Sequence, residues 1–358
     1  MKPAILIVVC FSSCLWAQEA ASGFDLAATV GEAGFYTRQL EAPPRSTGPA
    51  AGGFRALLYP TWKLDEHWAI TGAVQVHSRP YFFEEFTTQG YGVKTDLLQA
   101  NLSYSRFWSN NSIVIRVGQL SSAFGSFLLR YDDAVNPLID MPLAYGYYYR
   151  GVSSLGLAGA EVDATRGKLD LRAQFVNSSP ANRRSIFDRD QYGNWAGGLG
   201  YTIRQGFRAG ISAYHGPYLD RKYAFYFPGE ARPRDLPASA VGFDVQWGRG
   251  PWNVYGEWQR FQMVYTKIPP FHQHAGYAEA RWVLHPRWYL AVRAGYIRAN
   301  AFAGRDVYEI AAGFRPNRLQ LVKIGYEKQT GTNAGRAPAN VLSAQLVTSL
   351  HLFSVATN

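Results

Sequence analysis

The sequence predicts an all-β fold: a transmembrane, antiparallel, up-and-down β-barrel of about sixteen strands. Three observations predict it. The 358-residue chain is rich in Gly (35), Tyr (23), Phe (21) and Trp (10), while only 17% of its residues are charged. Mean hydropathy is −0.18, and no stretch approaches the roughly 20 apolar residues of a membrane-spanning helix. Segments of about ten residues alternate apolar with polar or small side chains, which is typical of strands between lipid and a polar lumen.

The first element is an export signal over residues 1–17. Lys2 precedes a short apolar run, Ala4 to Phe11, and the small residue Ala17 closes the segment. This is the arrangement of a secretory signal peptide, so we predict cleavage after Ala17 and a barrel over 18–358. Both cysteines lie inside the signal, and lipidation of one of them, Cys14, is the alternative. Without them the mature chain has no disulfide, thiolate metal site or cysteine nucleophile.

The strands follow in order. In Trp68 to Ser78, for example, Val74 and Val76 share one face, and Gln75 and His77 share the other. The predicted strands are 24–38, 54–64, 68–78, 93–106, 112–120, 154–164, 168–178, 193–203, 207–215, 239–248, 252–263, 274–284, 287–298, 305–315, 318–329 and 340–353. Tight turns alternate with mostly longer connections, as expected for short periplasmic turns and longer outer loops. Fourteen or eighteen strands remain alternatives.

Trp and Tyr cluster at the ends of these segments, where amphipathic rings favour a membrane–water boundary. Examples are Trp62, Trp68, Trp108, Trp195, Tyr201, Trp247, Trp252, Trp282 and Trp288. An exported barrel with aromatic girdles is expected in the outer membrane of a Gram-negative-type bacterium. About sixteen strands enclose a lumen too wide for side chains to fill, which leaves an aqueous channel.

The third long connection, residues 121–153, differs from the others. It is long and rather apolar, and it carries Arg130, Asp132, Asp133 and Asp140. An apolar loop of this length is not expected to remain in solvent, and such loops usually have a function. We therefore expect it to fold into the lumen, bury its Phe and Leu side chains, and narrow the pore with its charged residues.

Short motifs around this loop resemble a known family. Arg116-Val117-Gly118-Gln119, followed by Phe124-Gly125 and Asn136-Pro137, is similar to the segment that opens the constriction loop of bacterial outer-membrane porins. The phosphate-selective porin O/P type and related porin-like proteins are the nearest in pattern. This resemblance implies sixteen strands, an inward third loop and a homotrimer. One departure is the end of the chain, because such barrels commonly finish on an aromatic residue and Phe353 is not the last residue here.

Alternation also assigns charged residues to the lumen face. Arg116 lies opposite the Ile115 and Val117 face, and Arg172 lies opposite Leu171. Further inward residues on this pattern are Arg55, Glu279, Arg281, Arg293, Lys323 and Glu327. Wall arginines facing loop acids would create a transverse field, and charged rings select ions. The predicted pore constriction is Arg116, Arg130, Asp132, Asp133, Asp140 and Arg172. Each could instead be a solvated wall charge without selectivity.

Three functions are compatible with this pattern. The first is a porin for passive diffusion of small polar solutes or ions, with a possible anion preference. The second is a substrate-specific channel for phosphate, a sugar or an apolar nutrient, with Tyr218 to Phe227 as a stacking or gating surface. The third is a non-conducting barrel with a structural, adhesive or enzymatic role. No nucleophile elbow, zinc helix or phosphate loop is recognisable, so we do not expect an enzyme.

The net charge of +10 indicates either anion preference in the pore or outer loops that meet lipid phosphates. Expected partners are therefore outer-membrane lipid and lipopolysaccharide, small solutes, and copies of the chain in a homotrimer. The strip Gly156, Ala158 and Ala160 either packs in that trimer or accommodates girdle aromatics. We expect no cofactor and no metal, because His272 and His274 lack a third ligand nearby. Nucleic-acid binding is not expected of an exported barrel.

Overall fold

A computed structural model of the chain is a closed barrel of sixteen antiparallel strands, in which each strand pairs with its sequence neighbours and β1 closes on β16. The structure describes residues 22–38, 48–79, 81–83, 92–145, 152–178, 180, 193–219, 229–232, 235–331 and 339–356. The predicted export signal 1–17 lies outside these residues. A closed sheet has no unpaired edge, which is the requirement for a sheet in hydrocarbon.

The strands in chain order are β1 Gly23–Tyr36, β2 Ala50–Lys63, β3 Trp68–Arg79, β4 Gly92–Trp108, β5 Asn111–Ser121, β6 Leu155–Arg166, β7 Leu169–Val176, β8 Asn194–Arg204, β9 Phe207–Pro217, β10 Pro237–Arg249, β11 Trp252–Met263, β12 Phe271–His285, β13 Trp288–Ala299, β14 Phe302–Phe314, β15 Gln320–Thr330 and β16 Ala339–Ala356. The predicted barrel and its sixteen strands are confirmed. The largest error in the predicted strand bounds is at the start of β2, which begins at Ala50 rather than residue 54. Its first residues are small and do not alternate between apolar and polar.

Apolar side chains face outward and polar side chains face inward. In β10, Val241 is 50% exposed and Phe243 is 48% exposed, whereas Asp244 on the opposite face is 6% exposed. The same pattern appears in β3, where Gln75 and His77 are buried. This is the reverse of a water-soluble barrel, and it fits a wall between lipid and a polar interior.

Aromatic side chains occupy both rims of the outward face. At the rim of the short turns, Trp252 and Trp282 stack with ring centroids 5.3 Å apart. At the rim of the long connections, the rings of Phe175 and Trp195 are 4.5 Å apart. Tryptophan and tyrosine favour the boundary between hydrocarbon and water. The two rims therefore mark the upper and lower limits of an apolar band.

The connections at the two ends differ in length. Short turns such as Gly250–Pro251 join strands at one end, and the longer connections lie at the other. The link between β13 and β14 is an exception at the long end, since only Asn300 and Ala301 separate the two strands. Among the described residues, no helix has the length and apolar character needed to cross a membrane.

The last strand runs beyond its predicted end. β16 continues past Phe353 to Ala356, and Gly23 of β1 pairs with Ala356. The register shifts by one residue between Leu26 and Ala27, so Leu352 is the bulged residue opposite them. A bulge reverses the alternation of faces, and this reversal interrupts the sequence pattern that marks a strand.

Candidate functional site

The connection between β5 and β6 is a packed segment rather than an open loop. Residues 122–145 of this connection (the β5–β6 segment) contain two short 3-10 turns, Phe127–Arg130 and Leu143–Tyr145. Phe124 and Phe127 are both 0% exposed. Burial of one such side chain contributes about 1.5–3 kcal/mol. The apolar residues that distinguish this connection in the sequence therefore form its packing face.

Glu257 on β11 holds both ends of the β5–β6 segment. Ser126 Oγ donates a hydrogen bond to Glu257 Oε2 over 3.1 Å, and the Tyr145 hydroxyl donates to Oε1 over 2.5 Å. Burial and the neighbouring Glu257 charge raise the pKa of Tyr145 well above its usual value. Gly125 has φ +77°, and a Cβ at this position would collide with the Glu257 carboxylate and the Tyr145 hydroxyl. Glycine is required here by both conformation and space.

Asp133 in the middle of the segment pairs with Arg55 on β2. Arg55 Nε donates to Asp133 Oδ2 over 3.0 Å, its Nη2 lies 2.6 Å from Oδ1, and both side chains are 1% exposed. Arg55 Nη2 also donates to the Tyr131 carbonyl over 3.0 Å, and the Tyr81 hydroxyl donates to Asp133 Oδ2 over 2.9 Å. The rings of Tyr81, Phe82 and Tyr131 surround the guanidinium at 4.6–5.0 Å. This ion pair is thus enclosed by aromatic rings and fully desolvated.

Lys323 on β15 binds the backbone of the same turn. Its Nζ donates to the carbonyls of Asp133, Asn136 and Leu138 over 2.7, 2.7 and 3.1 Å. An ammonium group has three donors, so all three are used. A side chain that is 0% exposed is therefore satisfied entirely by the β5–β6 segment.

Arg130 and Asp140 connect the segment to β12 and β13. Arg130 forms an ion pair with Glu279 and donates to the Tyr277 hydroxyl over 2.8 Å. Burial alone would lower the pKa of Arg130, but Tyr277 and Glu279 outweigh it and raise that pKa, so the side chain remains charged. Arg293 on β13 donates to the Asp140 carbonyl over 2.6 Å and pairs with wall acids.

A second group of charges lies on β5, β6 and β7. Arg116 forms ion pairs with Glu161, at 2.8 Å, and with Asp163. Arg172 Nε lies 3.0 Å from Asp163 Oδ1. These residues are direct neighbours in register, because Arg116 faces Glu161 and Asp163 faces Arg172 across adjacent strands.

The same pattern continues on β7, β9 and β10. Arg208 contacts Asp170 through Nη2 at 2.6 Å and Asp244 through Nη1 at 2.7 Å. Its guanidinium lies across Gly200 and Gly210, where an added Cβ would collide with Arg208 and its acid partners. The absence of side chains at Gly200 and Gly210 therefore leaves room for one arginine to bridge three strands. We call the whole set the charge ladder: Arg116, Glu161, Asp163, Arg172, Asp170, Arg208 and Asp244.

The two groups differ in exposure. The ladder arginines are partly exposed: the side chains of Arg116, Arg172 and Arg208 are 25%, 28% and 29% accessible. Arg55 and Arg293, which hold the segment, are each 1% accessible. The ladder arginines are thus charged groups of the inward face that meet solvent.

The structure divides the six predicted constriction residues into these two groups. Arg130, Asp133 and Asp140 are buried against strands, and Asp132 accepts a hydrogen bond from the Tyr59 hydroxyl. Arg116 forms its ion pairs with wall acids, and the constricting role of the six residues stays a prediction. Arg172 likewise pairs with a wall acid. Alternation gives the face of a side chain but not its partner, which depends on register.

Several residues of the site were not predicted as such. Arg55, Glu279, Arg293 and Lys323 were assigned to the inward face by alternation, which the structure confirms, but not to the β5–β6 segment. The ladder members that the predicted constriction leaves out are Glu161, Asp163, Asp170, Arg208 and Asp244. All five follow the same alternation, so the signal was present in the sequence. The Tyr218 ring, expected as an accessible stacking surface, is 9% exposed and packs on Phe261, while residues 220–228 lie outside the described part.

No group of three or more metal-ligating side chains occurs among the described residues. His274 lies on the outward face, beside the Trp258 ring at 6.0 Å. It therefore belongs to a different surface from the charge ladder.

Comparison with known proteins identifies the fold. No family model matches the sequence, and no curated protein matches it. Solved structures do match: the trimer form of OmpT, an outer membrane protein of Vibrio cholerae, has a TM-score of 0.62 at 10% identity over 92% of this chain and 100% of that chain. An anion-selective porin from Comamonas acidovorans gives 0.62 at 10% identity, over 92% of this chain and 100% of its own. The outer membrane channel DcaP of Acinetobacter baumannii gives 0.62 at 9% identity, over 93% and 99%.

These likenesses show that the chain has the porin fold. At 9–10% identity, these matches show the architecture of the chain but not which solute it transports. The finer resemblance to phosphate-selective porins of the O/P type stays a prediction.

Proposed function

We propose that this protein is an outer-membrane porin, through which small polar solutes or ions diffuse passively. The observation that carries the proposal is the charge ladder, a line of paired acids and bases on the inward face of a wide, outwardly apolar barrel, in which all three arginines are partly exposed. A water-filled lumen is expected for sixteen strands. Solutes would pass along the ladder.

The β5–β6 segment narrows this passage from the opposite side. Its contacts with β2, β11, β12, β13 and β15 reach inward-facing side chains around much of the ring, which supports a position across the lumen. The segment covers the wall formed by these strands. The remaining passage is therefore off-centre and follows the charge ladder, while the first residues of the segment contact β7 and β9 through Gln174 and Ser212.

Selectivity in this passage is weak. The ladder contains three arginines and four acids, which nearly balance, and each arginine pairs with at least one acid. Strong selectivity needs a ring of one sign. The basic excess of the whole chain therefore does not translate into a strong anion preference along this wall.

The proposed site of action is the outer membrane, reached through a signal peptide over residues 1–17 that is cleaved on export. The apolar outward band fits lipid, and lipopolysaccharide is expected against its outer half. A homotrimer is also proposed, and the trimer form described for the structurally similar Vibrio cholerae protein supports it. No enzymatic role is proposed.

Planar-bilayer recording of the refolded full chain under a KCl gradient tests the proposal. We expect discrete current steps and a reversal potential close to zero. Replacement of both Arg116→Gln and Arg172→Gln should shift the reversal potential toward cation preference, because the acids of the ladder lose their partners. Arg287→Gln, in an exposed turn, is the matched control and should leave the potential unchanged.

Two outcomes would contradict the proposal in different ways. If a folded barrel gives no steps, the porin function is wrong, and a structural, adhesive or enzymatic role takes its place. If steps appear but the double variant keeps the wild-type reversal potential, solutes do not pass along the ladder.

A second candidate is a substrate-specific channel. It is favoured by the extent to which the β5–β6 segment packs on the inward face, since a passage beside this segment is narrower than an open sixteen-stranded lumen. Titration of phosphate, sugars and apolar nutrients against the single-channel current distinguishes the two. A solute that blocks the current at low concentration would identify a specific channel, and uniform insensitivity would favour general diffusion.

A further inference from the structure

The rim of the short turns carries a ring of positive charge. Six successive short turns, from the one between β4 and β5 to the one between β14 and β15, each have an exposed arginine in the turn or within two residues of the end of the adjoining strand. These arginines, which we call the cation ring, are Arg106, Arg166, Arg204, Arg249, Arg287 and Arg318. The ring therefore follows most of the circumference of one mouth of the barrel.

The arginines of the cation ring lack acidic partners. None of the six forms an ion pair with a described residue, whereas the inward arginines Arg116, Arg208 and Arg293 all do. The acids in the described short turns are Asp65 and Glu66, and both lie in the remaining short turn, between β2 and β3. The described part of this rim therefore has an excess of positive charge.

The mouth of the barrel is small enough for the field of the ring to span it. Sixteen strands that lie about 4.8 Å apart and tilt by about 40° form a barrel about 30 Å across. Charges are screened over about 30 Å in 0.01 M salt and over about 3 Å in 1 M salt. In dilute salt the field of the cation ring therefore covers the whole mouth, whereas in concentrated salt it is confined to the turns.

The charge ladder produces no comparable field, because its charges of opposite sign are in contact. Arg208, for example, lies 2.6 Å from Asp170 and 2.7 Å from Asp244. A mouth that carries one sign of charge between low-dielectric walls concentrates ions of the opposite sign. Among the described residues, the cation ring is thus the larger source of uncompensated charge along the path of a solute.

We propose that the cation ring makes the channel prefer small anions in dilute surroundings, and that this preference disappears as salt screens the ring. The solutes that gain are small carboxylates, phosphates and inorganic anions, which share a charge and need no specific pocket for this effect. The inference rests on the proposed function, because it requires a conducting barrel. In the proposed orientation the ring faces the periplasm.

Reversal potentials of the full chain in a bilayer of zwitterionic lipid, measured at one KCl ratio in dilute and in concentrated salt, test the proposal. The anion-to-cation permeability ratio should be about ten near 0.01 M and about one near 1 M. Arg166→Gln, Arg249→Gln and Arg287→Gln together halve the ring. The ratio near 0.01 M should then fall to about three, because the logarithm of counter-ion enrichment is proportional to the charge.

Two comparisons separate the ring from other causes. Arg166→Lys, Arg249→Lys and Arg287→Lys together are the matched control, which keeps the charge and should keep the ratio of about ten. The ladder variant Arg116→Gln with Arg172→Gln should shift the reversal potential in dilute and concentrated salt alike, because ions pass in contact with the ladder. Near 1 M, ring substitutions should leave the potential and the conductance unchanged, which also shows that the variants are folded.

A permeability ratio that is the same in dilute and concentrated salt would overturn the proposal. So would an anion preference in dilute salt that persists in the glutamine variant. Either result would leave the porin function intact, because current is still carried. Absence of current from a folded barrel would refute the porin function and this inference together.

Discussion

The barrel has two inward walls that use the same residue types for different purposes. On the wall formed by β2, β11, β12, β13 and β15, Arg55 and Arg293 are 1% accessible and hold the β5–β6 segment. On the wall from β5 to β10, Arg116 and Arg208 are 25–29% accessible and pair only with acids of the wall among the described residues. An arginine in the barrel interior therefore anchors the β5–β6 segment where the segment buries it, and lines the lumen where it stays exposed to solvent.

The energetics of the two walls differ for the same reason. Removal of one partner from a buried ion pair costs about 3–5 kcal/mol, because the other charge is left without water or a counterion. A partly exposed pair is screened by solvent and contributes about 0–1 kcal/mol. Substitutions in the covered wall should alter structure, whereas those in the open wall should alter selectivity.

The largest effect is expected for Arg55→Met. Asp133 would remain buried without a cation, and the cost of about 3–5 kcal/mol should release the middle of the β5–β6 segment. Single-channel conductance should rise and become noisy, and the urea midpoint of unfolding should fall. Arg172→Met on the open wall is the control, with little change in either quantity. Wild-type conductance in Arg55→Met would mean that the segment does not narrow the passage.

A smaller effect is expected for Gly200→Ala. The new methyl group would displace the Arg208 guanidinium from Asp170, which leaves two acids of the ladder less well compensated. The reversal potential should move modestly toward cation preference, with a stability change below about 1 kcal/mol. The comparison variant is Gly34→Ala, since a Cβ at Gly34 meets nothing within 4 Å. If both variants have the same reversal potential, Arg208 does not line the passage.

The smallest effect is expected in a turn that belongs to neither wall. The backbone N–H groups of Trp68 and His67 lower the pKa of Asp65 by donating hydrogen bonds to its carboxylate. The pKa of an unfolded aspartate is about 3.9. Because the pKa of Asp65 is lower in the folded state, its carboxylate stabilises the fold at pH values above about 3.9, and this stabilisation is lost as the pH falls through the folded-state pKa. Asp65→Asn should therefore be slightly less stable than the wild type at neutral pH, and equal to it in strong acid. Urea unfolding at both pH values measures this, and conductance should not change.

The fold was predictable because its signal is local. Alternation with a period of two, interrupted by turn residues, is sufficient to identify each strand, as in Trp252–Met263, whose predicted ends match the structure. The strand end that moved furthest lacks alternation, since β2 begins with the small residues from Ala50 to Gly53. The alternation of apolar and polar residues also predicts correctly that Arg55 and Lys323 lie on the inward face.

The site was predictable only in part. The pairing of Asp163 with Arg172 follows from the tight turn between β6 and β7, because the turn sets the register of the hairpin. The pairing of Arg55 with Asp133 joins residues 78 positions apart through a segment with no periodicity, so no local pattern contains it. The constriction formed by Arg116, Arg172 and the loop acids therefore stays a prediction.

The attachment of Lys323 has a consequence for the order in which the chain assembles. The carbonyls it binds precede it by 185–190 residues, and β15 is the penultimate strand of the barrel. Contacts of such long sequence separation form late, because the intervening chain must first be ordered. The β5–β6 segment therefore acquires its final conformation only when the C-terminal strands arrive. The passage is therefore completed late in folding, once β15 has joined the sheet that β16 closes on β1.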